Sequence, residues 1–238
     1  MEKGNSRCRV GVITGLQSEV RCLNLTPMTA WPSVRCAGAS AERAAGAARE
    51  LINSQCCEGL VSFGLAGGLV ATVQPGDIVL ADSIMGPDGT EIPTCDRWRA
   101  HVFDAAGDDI SLISGLVFST EHAITAAEDK AALAEATGAI AVDMESYAIA
   151  STARQFGVPF LVVRAVADPS VRTIPRWITS TIDERGQPKI ASVLVGLMRH
   201  PSDVVSLALL AGDSAKGHKA LRRFVFRIGP FFGFAGSG

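Results

Sequence analysis

Acidic side chains follow three apolar segments of the chain, at positions where they could take part in proton transfer. Glu19 comes after the segment RVGVIT, Asp143 and Glu145 come after a short apolar stretch, and Asp168 directly follows PFLVVRAVA. In open α/β sheets, ligands bind beyond the carboxyl ends of strands. A carboxyl group at the end of a buried strand is poorly solvated, so its pKa should rise, which suits a proton donor. The residue after it, Pro169, keeps Asp168 away from helical geometry.

Structural explanations also exist for these acids. Glu19 lies where a first helical turn would start, and a carboxylate there favours the positive end of a helix. For Glu19 alone, that explanation is the better one. Asp143 and Glu145 lie where a short strand becomes a helix, and both could be capping residues.

A glycine-rich segment, Gly64–Gly68 (GLAGG), follows another apolar segment, Gly59–Gly64. Its small residues would let backbone N–H groups approach a ligand closely. It lacks the Gly-x-Gly-x-x-Gly spacing of a dinucleotide-binding loop and the lysine of a phosphate loop. The spacing therefore argues against a dehydrogenase of the Rossmann type, and a sharp turn remains the alternative.

Apolar segments of strand length alternate with helical patterns, which predicts an α/β fold. The apolar segments are continuous, as expected for strands buried on both faces of a sheet that helices cover. We predict a single catalytic domain over residues 7–212. The predicted strands are Arg9–Thr14, Val34–Ala37, Gly59–Gly64, Asp77–Met85, Gly115–Ser119, Ile140–Val142 and Pro159–Ala167; the predicted helices are Ala41–Ser54, Thr125–Thr137, with Thr125 and Glu128 as a capping box, and Glu145–Phe156.

The composition excludes several classes of protein. The 238 residues are 47% hydrophobic and 19% charged, enough for a buried core, and the net charge of −2 gives no field that would attract nucleic acid. The six cysteines form no Cys-x-x-Cys pair, so we expect neither a metal site nor disulfides, and a reducing cytoplasm fits best. No run of about twenty apolar residues predicts a membrane span, and no signal peptide is expected.

The C-terminal part, residues 213–238, mixes five basic residues with five phenylalanines. Two short helices, Ile190–His200 and Asp203–Gly212, are predicted before it. Basic residues among exposed aromatics suit an anionic membrane surface, so peripheral contact with the inner membrane is one interpretation. An ordinary C-terminal helix that packs on the core is the alternative.

Taken together, the three acidic and glycine-rich segments are specific. VGVITGLQSEV, GLAGGLVATVQPGDIVLAD and AIAVDMESYAIASTARQFGVPFLVVRAVADPS resemble, in order and spacing, the purine nucleoside phosphorylase and methylthioadenosine/S-adenosylhomocysteine nucleosidase family. The resemblance covers roughly residues 9 to 170. It implies a three-layer α/β sandwich, with a mixed sheet partly closed into a barrel and flanked by helices. It also implies a homodimer or higher homo-oligomer that needs no cofactor.

The resemblance further implies roles for individual residues. Asp168 matches the general acid that protonates the purine at N7, and Glu145 matches the glutamate that binds the ribose hydroxyls. Glu19 matches the glutamate that activates water in the nucleosidases. The remaining matches are substrate-binding positions: Met144 against the ribose, Asp143 beside it in the same turn, Gly64, Ala66 and Gly67 in the glycine-rich segment near the sugar, and Ile124 beside the base.

Four positions depart from the family pattern. Ala123 stands where the family has a stacking phenylalanine, Ala167 and Leu65 stand where it has serines, and Asp143 replaces a glutamate. VDMES, RAVADP and the C-terminal RHPSDVVSLALLA…KALRR are most similar to the hopanoid-associated phosphorylase group. That similarity implies removal of adenine from adenosylhopane, a lipid-linked nucleoside, in hopanoid biosynthesis. Methylthioadenosine, S-adenosylhomocysteine and ordinary purine nucleosides are the alternative substrates.

Hydrolysis and phosphorolysis make different demands on the site. Phosphate needs cationic partners, usually including arginine, and Glu19 would repel it. Arg43 is a candidate phosphate ligand, but a solvated helix residue is the better explanation for a lone arginine in a helix. The residues favour hydrolysis, with phosphate as a co-substrate the alternative. A purine-binding sensor without catalysis is the non-enzymatic alternative, and the three retained acids argue against it.

Overall fold

Ten β-strands form one mixed sheet in the computed structural model, which describes residues 10–23, 32–107, 110–175, 177, 195–196 and 199–234. Most strands are short, and two central strands are long and buried along almost their whole length. The strands are β1 (Val10–Thr14), β2 (Ser33–Cys36), β3 (Gly59–Gly68), β4 (Ile78–Leu80), β5 (Ser83–Met85), β6 (Glu91–Pro93), β7 (Leu112–Ile113), β8 (Leu116–Ser119), β9 (Ala141–Asp143) and β10 (Phe160–Asp168).

The two long strands, β3 and β10, form the centre of the sheet. They run parallel, and β1 pairs in parallel with the first half of β3. The last two residues of β3 pair antiparallel with β9. The strand order is β6-β5-β8-β9-β3-β10-β4-β7. Within the described residues the first strand, β6, does not pair with the last, β7, so this sheet is open. The carboxyl ends of β1, β3 and β10 therefore lie at one edge.

Helices cover both faces of the sheet, which gives the three predicted layers. On one face, α2 (Ala41–Asn53) and α5 (Ser146–Gln155) pack in a core cluster with Ile13, Leu60 and Val162. The other face packs against α1 (Gln17–Leu23), α3 (Asp96–Ala106) and the long C-terminal helix α6 (Val204–Ile228). Helix α4 (Ala127–Thr137) precedes β9 in the chain. The α/β fold predicted from the sequence is confirmed.

Several local predictions need correction. The glycine-rich segment is the second half of β3, because β10 and β9 both supply backbone hydrogen bonds to it. The segment predicted as one strand at 77–85 is interrupted between β4 and β5. Thr125 does not cap α4, since the N-cap residue is Ala126 and it makes no side-chain capping bond.

The C-terminal helix was also predicted wrongly. It does not end at Gly212 but runs unbroken to Ile228, across the boundary placed between residues 212 and 213. Leu221, Phe224 and Phe232 are fully buried against β3, β10 and α3. Most of the predicted helix Ile190–His200 lies outside the described residues. No helix in the described ranges is long and apolar enough to cross a membrane.

Candidate active site

The three acids singled out in the sequence line one cavity at the carboxyl edge of the sheet. Its volume is about 220 Å³, and Glu19, Glu145 and Asp168 all face it. Each comes from a different strand end: Glu19 from α1 after β1, Glu145 from the turn after β9, and Asp168 from the last position of β10. The cavity is also lined by Asp143, Met144, Ala66, Gly67, Ile124, Leu65, Ala123, Ala167, Thr120 and Ile174.

A β-bulge directs Asp168 toward this cavity. Val166 pairs with Ala66, but the next pairing is Asp168 with Gly67, so Ala167 is an extra residue in β10. A bulge rotates the following side chain relative to regular alternation and is common beside active sites. Because of this extra residue, the side chain of Asp168 points toward the cavity at the edge of the sheet.

Arg164 is the electrostatic centre beneath the cavity. Its side chain is 1% exposed, and its Nη2 lies 2.7 Å from Asp143 Oδ2 and 3.3 Å from Glu145 Oε2. The same nitrogen donates to the hydroxyls of Ser62 and Ser146 at 2.7 and 3.0 Å. A buried guanidinium requires such pairing, because an unpaired charge in the interior is very costly.

Glu19 is fixed by backbone donors as well as by its place in α1. Its Oε2 accepts the N–H groups of Gly15 and Leu16 at 2.9 and 2.8 Å, and its Oε1 accepts the N–H of Leu65 at 2.8 Å. Burial raises the pKa of Glu19, while the Arg164 guanidinium and these three N–H groups lower it. The carboxylate is thus both a support for the first helical turn and part of the cavity wall.

Glu145 has the most strongly perturbed carboxyl group of the site. It occupies the N-cap position of α5 but makes no side-chain capping bond, so its carboxyl group faces the cavity instead. Burial raises its pKa to about 8; Arg164 acts in the opposite direction, and the neighbouring Asp143 and Glu19 charges raise the pKa further. One cation is therefore shared among three acids, and Glu145 holds a proton near neutral pH.

Asp143 supports this arrangement from the end of β9. Its Oδ1 accepts from the hydroxyl of Ser119 at 2.5 Å and from the N–H of Ser146 at 3.3 Å, and its Oδ2 contacts Ser146 Oγ and Arg164. The carboxylate is 1% exposed. These contacts align the β9–α5 turn that presents Met144 and Glu145 to the cavity.

Asp168 is paired with a buried lysine. Lys130, in α4, is fully buried and contacts Asp168 Oδ2 through its ammonium group. Burial raises the pKa of Asp168, whereas Lys130 and, more weakly, Arg172 lower it. Burial is the largest of these effects, so the carboxyl group keeps its proton at higher pH than an ordinary aspartic acid.

Two glycines are required by the close packing of these acids. A Cβ placed on Gly64 would lie 2.6 Å from Glu19 Oε1 and 2.6 Å from Arg164 Nη1. A Cβ on Gly15 would lie 2.8 Å from Glu145 Oε1. Gly64 does not itself line the cavity. Because it has no side chain, Glu19 and Arg164 can both pack against its Cα.

Arg43, the candidate phosphate ligand, is not among the residues that line the cavity. It is exposed on α2, and its Nε donates to the carbonyl oxygen of Ala37 at 2.5 Å. None of the described residues that line the cavity is a lysine or an arginine. Arg164 and Lys130 are not among these lining residues and are bound to acids, so the described part of the cavity lining offers no free cation to an anion.

A larger cavity, of about 860 Å³, lies at the opposite edge of the sheet. It is lined by exposed charged residues such as Arg97, His101 and Arg154, and by Trp98 and Phe160. It contains no buried carboxyl group, and Phe160 is at the start of β10, whereas Asp168 is at its end. We therefore place the acid–base chemistry in the smaller cavity.

Sequence reasoning missed the two buried cations. Arg164 carried a readable signal, since a charged residue inside the otherwise apolar strand FLVVRAVA must be paired when the strand is buried. Lys130 carried none, because a lysine in an alanine-rich helix is normally a solvated residue. Both were found only when the fold placed them beside acids distant in the sequence.

Protonation of Glu145 predicts a specific pH dependence of stability. Because its pKa rises from 4.5 to about 8 on folding, the native state binds the extra proton between these values. This contribution to the free energy of unfolding is complete below 4.5 and is lost as the pH rises through about 8. Urea unfolding across this range should show a decline that is weaker in Glu145→Gln, while exposed Glu135→Gln should retain it. An unchanged decline in Glu145→Gln would contradict the assignment.

Comparison with known proteins identifies the family of the chain. The model of the phosphorylase superfamily matches residues 32–195, more than half of the chain. A 5'-methylthioadenosine/S-adenosylhomocysteine nucleosidase of Shewanella baltica is 29% identical over 174 residues, covering 65% of this chain and 74% of that enzyme.

Solved structures share the fold. Futalosine hydrolase of Helicobacter pylori superposes with a TM-score of 0.67 at 17% identity, covering 92% of this chain and 98% of that one. The 5'-methylthioadenosine/S-adenosylhomocysteine nucleosidase of Neisseria meningitidis, in complex with methylthio-immucillin-A, gives 0.66 at 18% identity and the same coverage. The chain belongs to the phosphorylase superfamily and is an enzyme of that family.

Proposed function

We propose that this enzyme hydrolyses the N-glycosidic bond of an adenine nucleoside. One observation carries the proposal: Asp168, Glu145 and Glu19 line a single cavity that has no lysine or arginine among its described lining residues. Three carboxyl groups around one cavity suit a reaction that needs a proton donor, a stabiliser of positive charge and a base. The relatives named above as nucleosidases agree with the reaction class.

Asp168 is the proposed proton donor. The bond between C1' of ribose and N9 of adenine breaks easily only when the departing base is protonated. Asp168 gives its proton to N7, the electron pair of the broken bond goes to the adenine ring, and adenine leaves as a neutral molecule. The raised pKa of Asp168 keeps this proton available.

Glu145 and Glu19 act on the sugar. Glu145 accepts hydrogen bonds from the ribose hydroxyls, and the negative charge of the cluster stabilises the cationic oxocarbenium ion that forms at C1'. Glu19 orients a water molecule and takes its proton as the water oxygen bonds to C1'. Met144 packs against the ribose, close to Gly67 and Ala66.

The base occupies an aliphatic environment. The cavity walls near Asp168 carry Ile124, Ala123 and Ile174, and no aromatic ring lines the cavity in the described part of the chain. Adenine is therefore held by apolar contact and by the hydrogen bond from Asp168 rather than by stacking. The cavity is below the range of about 300–1,000 Å³ that encloses drug-sized ligands. A large group on the ribose 5' carbon would extend outside it.

Hydrolysis is favoured over phosphorolysis by the charge of the site. Among the described lining residues, a phosphate ion would meet Glu19 and Glu145 without a free cationic partner, which is unfavourable. Adenine release from adenosine-type substrates should therefore proceed at the same rate in phosphate-free buffer and in phosphate, with free ribose as the second product. Chromatography of the products distinguishes ribose from ribose 1-phosphate. Strict dependence on phosphate would overturn the role of Glu19 as a water activator.

The finer proposal concerns the substrate: adenosylhopane, taken from a membrane surface. The outward face of α6 supports it. Exposed apolar residues, Val204, Val205 and Leu209, occupy its first turns, and Val171, three residues after Asp168, is 79% exposed. The second half of the same face carries exposed cations: Lys216, Lys219, Arg222, Arg223 and Arg227. An apolar and basic helix face suits an anionic lipid surface.

This proposal predicts dependence on the membrane. Adenine release from adenosylhopane in anionic vesicles should exceed release from methylthioadenosine, and Lys219→Glu with Arg223→Glu should slow only the vesicle reaction. Arg49→Glu with Arg154→Glu, exposed on the opposite helical layer, is the matched control. Efficient cleavage of methylthioadenosine with adenosylhopane left intact would instead support a methylthioadenosine nucleosidase. A homodimer, the expected assembly, is compatible with either substrate.

A further inference from the structure

Lys130 has no role in the reaction described so far, yet it is the most unusual residue near the site. It is 0% exposed, although lysine is almost never fully buried unless it is paired. Its ammonium group has three partners: Asp168 Oδ2, the carbonyl oxygen of Pro169 at 3.1 Å and the carbonyl oxygen of Arg172 at 3.2 Å. All three donors of the lysine are thus directed at the segment that begins with Asp168.

The lysine occupies only one oxygen of the aspartic acid. Asp168 Oδ2 contacts Lys130, whereas Oδ1 has no hydrogen-bond partner among the described residues. The side chain lines the cavity beside Gly67. One carboxyl oxygen is therefore held by the lysine, and the other is left without a partner in the described part of the chain. Oδ1 is thus the oxygen that can carry the proton for the purine N7.

We propose that Lys130 is a positioning residue that makes Asp168 a stronger proton donor, by stabilising the carboxylate that remains after Asp168 protonates the leaving base. The proposal rests on the hydrolytic function described above. When the proton moves from Oδ1 to N7, negative charge develops on the Asp168 carboxylate. The ammonium on Oδ2 compensates this charge in a place where solvent cannot, and when adenine leaves, Asp168 regains a proton from water.

Two opposing influences explain why such a pair is useful. Burial alone would leave Asp168 protonated but reluctant to release its proton, because the ionised form is poorly solvated. Lys130 alone would hold the carboxylate ionised at all relevant pH. Other charged groups that influence Asp168 are Arg172, which favours the ionised form, and Asp213 of α6, which disfavours it. Arg172 Nη2 lies 2.7 Å from Asp213, so these two largely compensate one another.

The test is the pH profile of Lys130→Met, which keeps the length of the side chain and removes its charge. The alkaline limb of kcat/KM for adenine release should move upward by about 1–3 pH units, because the Asp168 carboxyl loses its positive neighbour. In the same variant kcat at neutral pH should fall. In the Asp168→Asn background, Lys130→Met should cause little further loss, since its effect passes through Asp168.

A residue with only a structural role would lower kcat and leave the alkaline limb where it is, and that result would overturn the proposal. Lys130→Gln, which keeps two hydrogen-bond donors, serves if the methionine variant has a reduced folded fraction. The ¹³Cγ titration of Asp168, assigned by its loss in Asp168→Asn, gives a readout without activity. If Lys130→Met raises the pH of the Asp168 titration but the unmodified enzyme releases no adenine, the pairing is supported and the proposed hydrolysis is contradicted. If the titration of Asp168 is the same in both proteins, the pairing itself is contradicted.

Discussion

Replacing Asp168 with asparagine should lower kcat for adenine release by about 10²–10⁴-fold, the usual contribution of a positioned acid. The substitution keeps the size and shape of the side chain at the end of β10 but removes the proton for N7. Substrate binding should change much less, because the walls of the cavity are unaltered. The measurement is steady-state adenine release, with thermal unfolding to verify that the variant is folded.

The matched control is Asp104→Asn, since Asp104 is an exposed acid at the cavity on the opposite edge of the sheet. It should retain the activity of the unmodified enzyme. If Asp168→Asn kept more than about a tenth of the activity, loss of the acid would be smaller than a positioned proton donor provides. The base would then have to leave without a proton from this residue.

Much of the fold was predictable because its main signals are local. The continuous apolar segments RVGVIT and PFLVVRAVA have the length and β-branched content that predict strands buried on both faces, and β1 and β10 are found there. Gly157, with a positive φ of 64°, ends the turn after α5 as expected of a glycine at a helix end. Composition and periodicity were therefore sufficient for the fold class and for most of the longer elements.

The glycine-rich segment shows where local signals fail. Gly64–Gly68 has the composition of a loop, but strands on both sides supply its hydrogen bonds, and tertiary pairing outweighs low strand propensity. The glycines serve close packing instead: Gly64 leaves space for Arg164 and Glu19. Helix α3 was missed for a related reason, since its packing against α6 is a long-range contact.

The convergence of the three acids at one cavity could be predicted from the sequence, but the buried cations that hold them could not. Glu19, Glu145 and Asp168 were placed together because acids at strand ends converge at one sheet edge. Their partners, Arg164 and Lys130, lie within β10 and α4. The residues around them in the sequence do not indicate which acid each one binds. Charge pairing of this kind depends on register and bulge geometry, which only the folded chain specifies.

Arg164 should be the residue on which the integrity of the whole site depends. Its guanidinium is the shared cation for Asp143, Glu145 and Glu19, and the hydroxyls of Ser62 and Ser146 complete its shell. Removing one partner of a buried charge pair typically costs about 3–5 kcal/mol, because the remaining charge is left uncompensated. Arg164→Met should therefore lower the free energy of unfolding by about that amount, measured by urea titration.

A second measurement separates charge from packing. In Arg164→Met the buried acids repel one another, so Asp143→Asn in that background should restore part of the lost stability, whereas Asp143→Asn alone should be destabilising. A double-mutant cycle would then show coupling between the two positions. Exposed Arg154→Met on α5 is the control and should change stability by less than about 0.5 kcal/mol.

The same substitution tests why an enzyme would bury three acids around one arginine. With Arg164 absent, the pKa of Glu145 should rise further, since the guanidinium is the main influence that lowers it. Glu145, which already holds a proton near neutral pH, would then stay neutral above about pH 8 as well, and there the stabilisation of the oxocarbenium ion would weaken together with stability. Loss of stability without loss of activity in the folded fraction of Arg164→Met would show that the cluster supports the fold alone, and the sugar cation would need another source of negative charge.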